Sequence, residues 1–196
     1  MPREIGLSLQ TTQGSSFPTF RACINTVTPP ATSTDILVAT ATGTTALIVT
    51  KVSASMHATA ASNYDLFVFR RTTANTGGSP LTLTLASQAF ASGTASLIQM
   101  DSSDTASSAT VVANAAAATA GTGTIVYGDH FVVPAVGTPV APFIPFVFDS
   151  TTRGSKPLII RPGQAVSLGM NGQAVPAGGV LHAYIEWIEV PLSVLN

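Results

Sequence analysis

The chain has 196 residues, a net charge of −1, charged residues at 9% and one cysteine. That length suits a single domain hiding roughly 70% of its unfolded surface. The near-zero charge gives no sign of an electrostatic partner such as nucleic acid or anionic lipid, and one thiol excludes an internal disulfide. Soluble domains carry about 25% charged residues and rely on them to stay apart, so this thin coat leaves two readings: a Thr/Ser-rich surface that is merely polar, or, the favoured one, a surface covered by other copies or by a larger assembly.

Residues 1–19 are polar and broken by Gly14, Ser15, Ser16 and Pro18, which predicts an N-terminal arm ahead of one domain spanning 20–196. Met1-Pro2-Arg3-Glu4-Ile5 has no apolar signal region, and no apolar run approaches the ~20 residues of a membrane span. The expectation is synthesis in the cytosol without secretion or anchoring. Strands are predicted at residues 20–28, 35–41, 46–56 and 64–70, the last rich in aromatic and β-branched types. A loop at 75–80 precedes the alternating Leu81-Thr82-Leu83-Thr84-Leu85. Residues 89–120 hold few large side chains; β-branched Thr110, Val111 and Val112 predict a short strand at 110–114 rather than a helix through the Ala-rich run. Strands follow at 124–133 and 146–149, the approach to the second limited by Pro139, Pro142 and Pro145.

The C-terminal stretch is the most regular. Apolar runs at 158–160 and 165–170 flank Arg161-Pro162-Gly163-Gln164, where Pro fixes φ and Gly supplies a positive φ. This predicts a tight hairpin. Asn171-Gly172 and Pro176-Ala177-Gly178-Gly179 turn the chain again. In the closing strand Leu181, Ala183, Ile185 and Trp187 form an apolar face, with His182, Tyr184 and Glu186 opposite; this period of two predicts a half-buried strand in the middle of a sheet. About ten strands without a convincing helix predict an all-β antiparallel sandwich of jelly-roll type.

The residues offer little chemistry. His57, His130 and His182 are far apart, and Asp129-His130 falls short of the three or four convergent ligands a metal needs. Asp101 and Asp104 lack the ligand density of a calcium loop and read as a polar turn. Glu186 and Glu189 have opposite strand parity, so they cannot form a glycosidase pair. No Gly-x-Ser-x-Gly occurs, and Cys23 reads as a buried, inert thiol. Gly77-Gly78 and Gly121-Thr122-Gly123 read as hairpin turns rather than phosphate loops, and Arg70-Arg71 is too small for a nucleic-acid footprint. The expectation is no catalytic residue, cofactor or metal. The alternative, a carbohydrate-binding jelly-roll module of a tail component or adhesin, would need exposed aromatics on one concave face, with Tyr64, Tyr127, Tyr184 and Trp187 as candidates. A cupin-like enzyme is disfavoured by the missing His pair.

The aromatic strand ending in Arg70-Arg71, the Gly-rich loop, Asp101-Ser102-Ser103-Asp104, the Ala-rich stretch and the closing Lys156–Glu189 segment together resemble the jelly-roll decoration or cement proteins of tailed-bacteriophage heads. The resemblance covers about the last two-thirds of the chain and rests on structural turns and strands. It implies a virion protein on the outer head surface: a homo-oligomer, dimer or trimer, that clamps major capsid subunits and binds neither nucleic acid nor membrane.

Overall fold

The computed structural model describes residues 17–27, 35–77, 79–80, 83–85, 94–101, 103–113, 121–133, 135, 146–150, 157–170 and 175–195. Most of the expected arm, residues 1–16, lies outside them, as do the Ala-rich run at 115–118, the three prolines at 139–145 and Asn171-Gly172. The described residues form an all-β sandwich of two sheets with no α-helix among them.

The described residues form thirteen strands: β1 (Thr19–Val27), β2 (Asp35–Thr40), β3 (Thr45–His57), β4 (Ser62–Arg71), β5 (Ser79–Pro80), β6 (Leu83–Leu85), β7 (Thr94–Gln99), β8 (Thr110–Ala113), β9 (Gly123–Val133), β10 (Phe146–Asp149), β11 (Leu158–Ile160), β12 (Ala165–Gly169) and β13 (Val180–Pro191). The first sheet runs β10-β3-β13-β1-β7-β6, with β11 also paired to β3; the second runs β5-β8-β2-β12-β4-β9. All pairings are antiparallel except β6 with β7. As its alternation predicts, β13 sits mid-sheet, between β3 and β1.

The chain changes sheet at each step from β1 to β4, and again from β11 to β12 and from β12 to β13. This corrects the expected hairpin. The Pro162-Gly163 turn forms, with Gly163 at φ 82° and the Gln164 N–H donating to the Arg161 carbonyl at 2.9 Å. But β11 pairs with β3 and β12 with β2 and β4, so the turn is a corner between sheets. Its backbone is clipped to the end of β2 by Gly163 N–H to Ala41 O and Ala41 N–H to Gln164 O, both 3.0 Å. Two other expectations change. Ser79–Pro80, expected as loop, pairs with β8. Gly121 does not turn a hairpin: a Cβ there would lie 2.0 Å from the Thr73 carbonyl oxygen, so glycine lets the entry to β9 press against the end of β4.

The inward residues of both sheets form one core that includes Phe20, Leu37, Val52, Leu66, Val68, Leu168, Ile185 and Trp187. A smaller cluster lies on the opposite, outer side of the first sheet. There Ala46, Ile48, Ile188 and Val190 are covered by Phe17, Ile159, Leu192 and Leu195. Phe17 just ahead of β1 and Leu192 and Leu195 just after β13 thus roof one end of that outer face, together with Ile159 of β11.

Candidate functional site

The other end of this outer face holds the most chemically varied cluster among the described residues. Because Phe20, Ala22 and Ile24 point inward, their alternates Arg21, Cys23 and Asn25 point out. The same parity turns out His182, Tyr184 and Glu186 on β13 and Lys51, Ser53, Ser55 and His57 on β3. Cys23, Asn25, Ser53, Ser55 and His182 line a shallow depression.

Arg21 donates from Nε and Nη2 to Glu186 Oε2 at 3.0 and 2.5 Å. Thr50 Oγ1 donates to Glu186 Oε1 at 3.1 Å. The Arg21 guanidinium also lies 4.7 Å from the Tyr184 ring centre, and Lys51 Nζ lies 6.0 Å from it. Beneath these, Cys23 is 8% exposed. Burial, opposed by the Arg21 charge, pushes its thiol up to about 11, so it stays protonated and weakly nucleophilic at neutral pH. His182 Nδ1 is 2.8 Å from Asn25 Oδ1, and its ring centre is 6.1 Å from that of His57. Burial first, and the neighbouring His57 second, hold His182 below the usual histidine range. This His57–His182 approach has no signal in the spacing of the residues, because only the β3–β13 register creates it.

The remaining candidates are dispersed. Glu186 and Glu189 do point to opposite sides: Glu189 is 6% exposed and accepts hydrogen bonds from Trp187 Nε1 at 3.2 Å, Ser108 N at 3.0 Å and Ser108 Oγ at 2.8 Å, and also from Ser107 Oγ. Asp101 accepts from Ser103 N and Oγ at 2.8 and 2.7 Å, which lowers its pKa; this is a polar turn. His130 bonds Asp65 through Nδ1 on the exposed β9. Arg71 is buried and donates to Asp35 at 3.0 and 2.5 Å, while Arg70 is exposed. Among the described residues no three metal-type ligands converge. Nor do the four aromatics share an open face: Tyr64 and Trp187 are in the core, Tyr127 packs against it 5.7 Å from Phe148, and Tyr184 lies on the outer face.

A scan of protein-family models and searches of curated proteins and of solved structures each return no match.

Proposed function

We propose that this chain is a non-enzymatic virion structural protein that decorates and stabilises a phage head, on its outer surface, by binding major capsid subunits as a homo-oligomer. The observation that carries the reading is where the few charges go. The chain has eight basic and nine acidic side chains. Arg21 with Glu186 and Arg71 with Asp35 are paired within the fold, and Glu189 is buried among hydrogen-bond donors. The other charges are few for a chain in which charged residues make up only 9%, and such a sparsely charged surface suits apposition to other subunits.

The winding supports the same reading. The strands β1, β13, β3 and β10 face β2, β12, β4 and β9, and we infer a jelly roll, a winding common to capsid proteins; β5 to β8 are an insertion that widens both sheets. The test is light scattering together with co-sedimentation on phage heads lacking this protein. A discrete oligomer and saturable binding to heads are expected. A monodisperse monomer that stays in the supernatant overturns the proposal.

A further inference from the structure

The unroofed end of the outer face carries a pattern that a second copy of this chain complements. Arg21 on β1 is in register with Glu186 on β13. Glu186 is in register with Lys51 on β3, and Lys51 with Asp149 on β10. Residues directly opposite in a ladder project from the same side of the sheet, and the neighbours Phe20, Ile185, Val52 and Phe148 all point into the core. The four charges therefore stand in one row on the outer face. With strands about 4.8 Å apart the row is about 14 Å long. Its signs read plus, minus, plus, minus.

Such a row is antisymmetric about its midpoint, and that property selects a symmetry. Around a two-fold axis lying along the row, each residue meets its own copy and like charges face. Around a two-fold axis parallel to the strands, on the midline between β13 and β3, the row is reversed. Arg21 then faces Asp149 of the second copy, and Glu186 faces Lys51, so all the facing charges are opposite. Small side chains beside the row, Cys23, Ser53 and Ser55, leave room for a facing sheet at the usual ~10 Å spacing, and Tyr184 stands near the axis as an aromatic contact. The roofed end of the same face has its apolar residues covered by Phe17, Leu192 and Leu195; the end bearing the charge row is open and half-buried in its own side chains.

We propose that this face is an isologous interface between two copies of the chain, with the row from Arg21 to Asp149 setting its two-fold axis. The proposal rests on the self-association argued above and adds its surface and symmetry.

The test is the double swap Lys51→Glu with Asp149→Lys, measured by sedimentation velocity. Net charge is unchanged, but the row becomes plus, minus, minus, plus, and every facing pair becomes repulsive. A monomer is expected where the wild-type chain is dimeric. Because the swap places two carboxylates side by side in the fold, the milder Lys51→Gln with Asp149→Asn is measured alongside, with melting temperature as the folding control. It should raise the dimer dissociation constant roughly 10- to 100-fold and flatten its dependence on salt between about 0.05 and about 0.5 M. Folded variants that dimerise like the wild type, or a wild-type assembly of odd order, overturn the interface and leave self-association standing. A wild-type monomer overturns both.

Discussion

Trp187 and Glu189 are two residues apart on β13 and point to the same side, so the indole N–H reaches the carboxylate while the ring fills the core beside Phe20, 6.0 Å centre to centre. The carboxylate also holds residues 107–109 through Ser107 and Ser108. Removing it leaves the buried Trp187 N–H without an acceptor and frees the part-buried Ser107 and Ser108 donors. Glu189→Ala is therefore expected to cost on the order of 3 kcal/mol in urea unfolding. Trp187→Ala, which empties a fully buried site, is expected to cost roughly 3–5 kcal/mol; an unchanged melting temperature would falsify the core assignment. His182 gives a pH signature. Its neighbours are Asn25 on β1, His57 and Ser55 on β3 and Tyr184 on its own strand, and its pKa is lowered by burial and by His57. A lowered folded pKa means that the unfolded chain takes up the proton more readily. The stability from this group is present above the unfolded value of about 6.5 and is lost as pH falls through the folded value. Wild-type melting temperature should drop further between about pH 7 and about pH 5 than that of His182→Gln; equal slopes count against this role.

At the scale of elements, the Pro162-Gly163 corner separates what the sequence reveals from what it hides. Its local chemistry was legible: Pro before Gly predicts the turn, and Gly163 has the positive φ. Its destination was not, because periodicity reports which face of a strand is buried but not which strand it pairs with. The same limit explains the unpredicted β7. Thr94-Ala95-Ser96-Leu97-Ile98-Gln99 has two large apolar residues, too few for a strand signal, and pairing with β1 makes it a strand. The outer-face cluster was hidden for a related reason. Arg21, Lys51, Asp149 and Glu186 are spread over most of the chain, and only register brings them into line. Parity, in contrast, was fully legible, and it put Glu186 and Glu189 on opposite sides. At the corner itself, open space surrounds the position of a Cβ on Gly163, so substitution is opposed by backbone conformation alone. Gly163→Val is expected to cost about 1–3 kcal/mol, read as a lower urea midpoint with an unchanged slope.

For the whole molecule, the winding dictates how stability is shared. β1 and β13, from opposite ends of the domain, are neighbours in the centre of the first sheet. β12, lying between the corner and β13 in sequence, is central in the second, between β2 and β4. Neither sheet can therefore be completed before the C-terminal strands arrive, and both share one core. Folding must close long loops before their contacts repay the entropy, which places it in the slow range for two-state β proteins, roughly milliseconds to seconds. It also predicts that the sheets cannot unfold separately. The chain has one tryptophan, and Trp187 lies at the junction of both sheets in the shared core, so its fluorescence reports core packing while far-UV circular dichroism reports the strands. Measured on the Lys51→Gln/Asp149→Asn variant at a concentration where sedimentation shows monomer, the two urea transitions should coincide in midpoint and slope. If fluorescence changes at a lower urea concentration than the dichroism, one sheet survives loss of the common core, and the interdependence argued from the strand order is wrong.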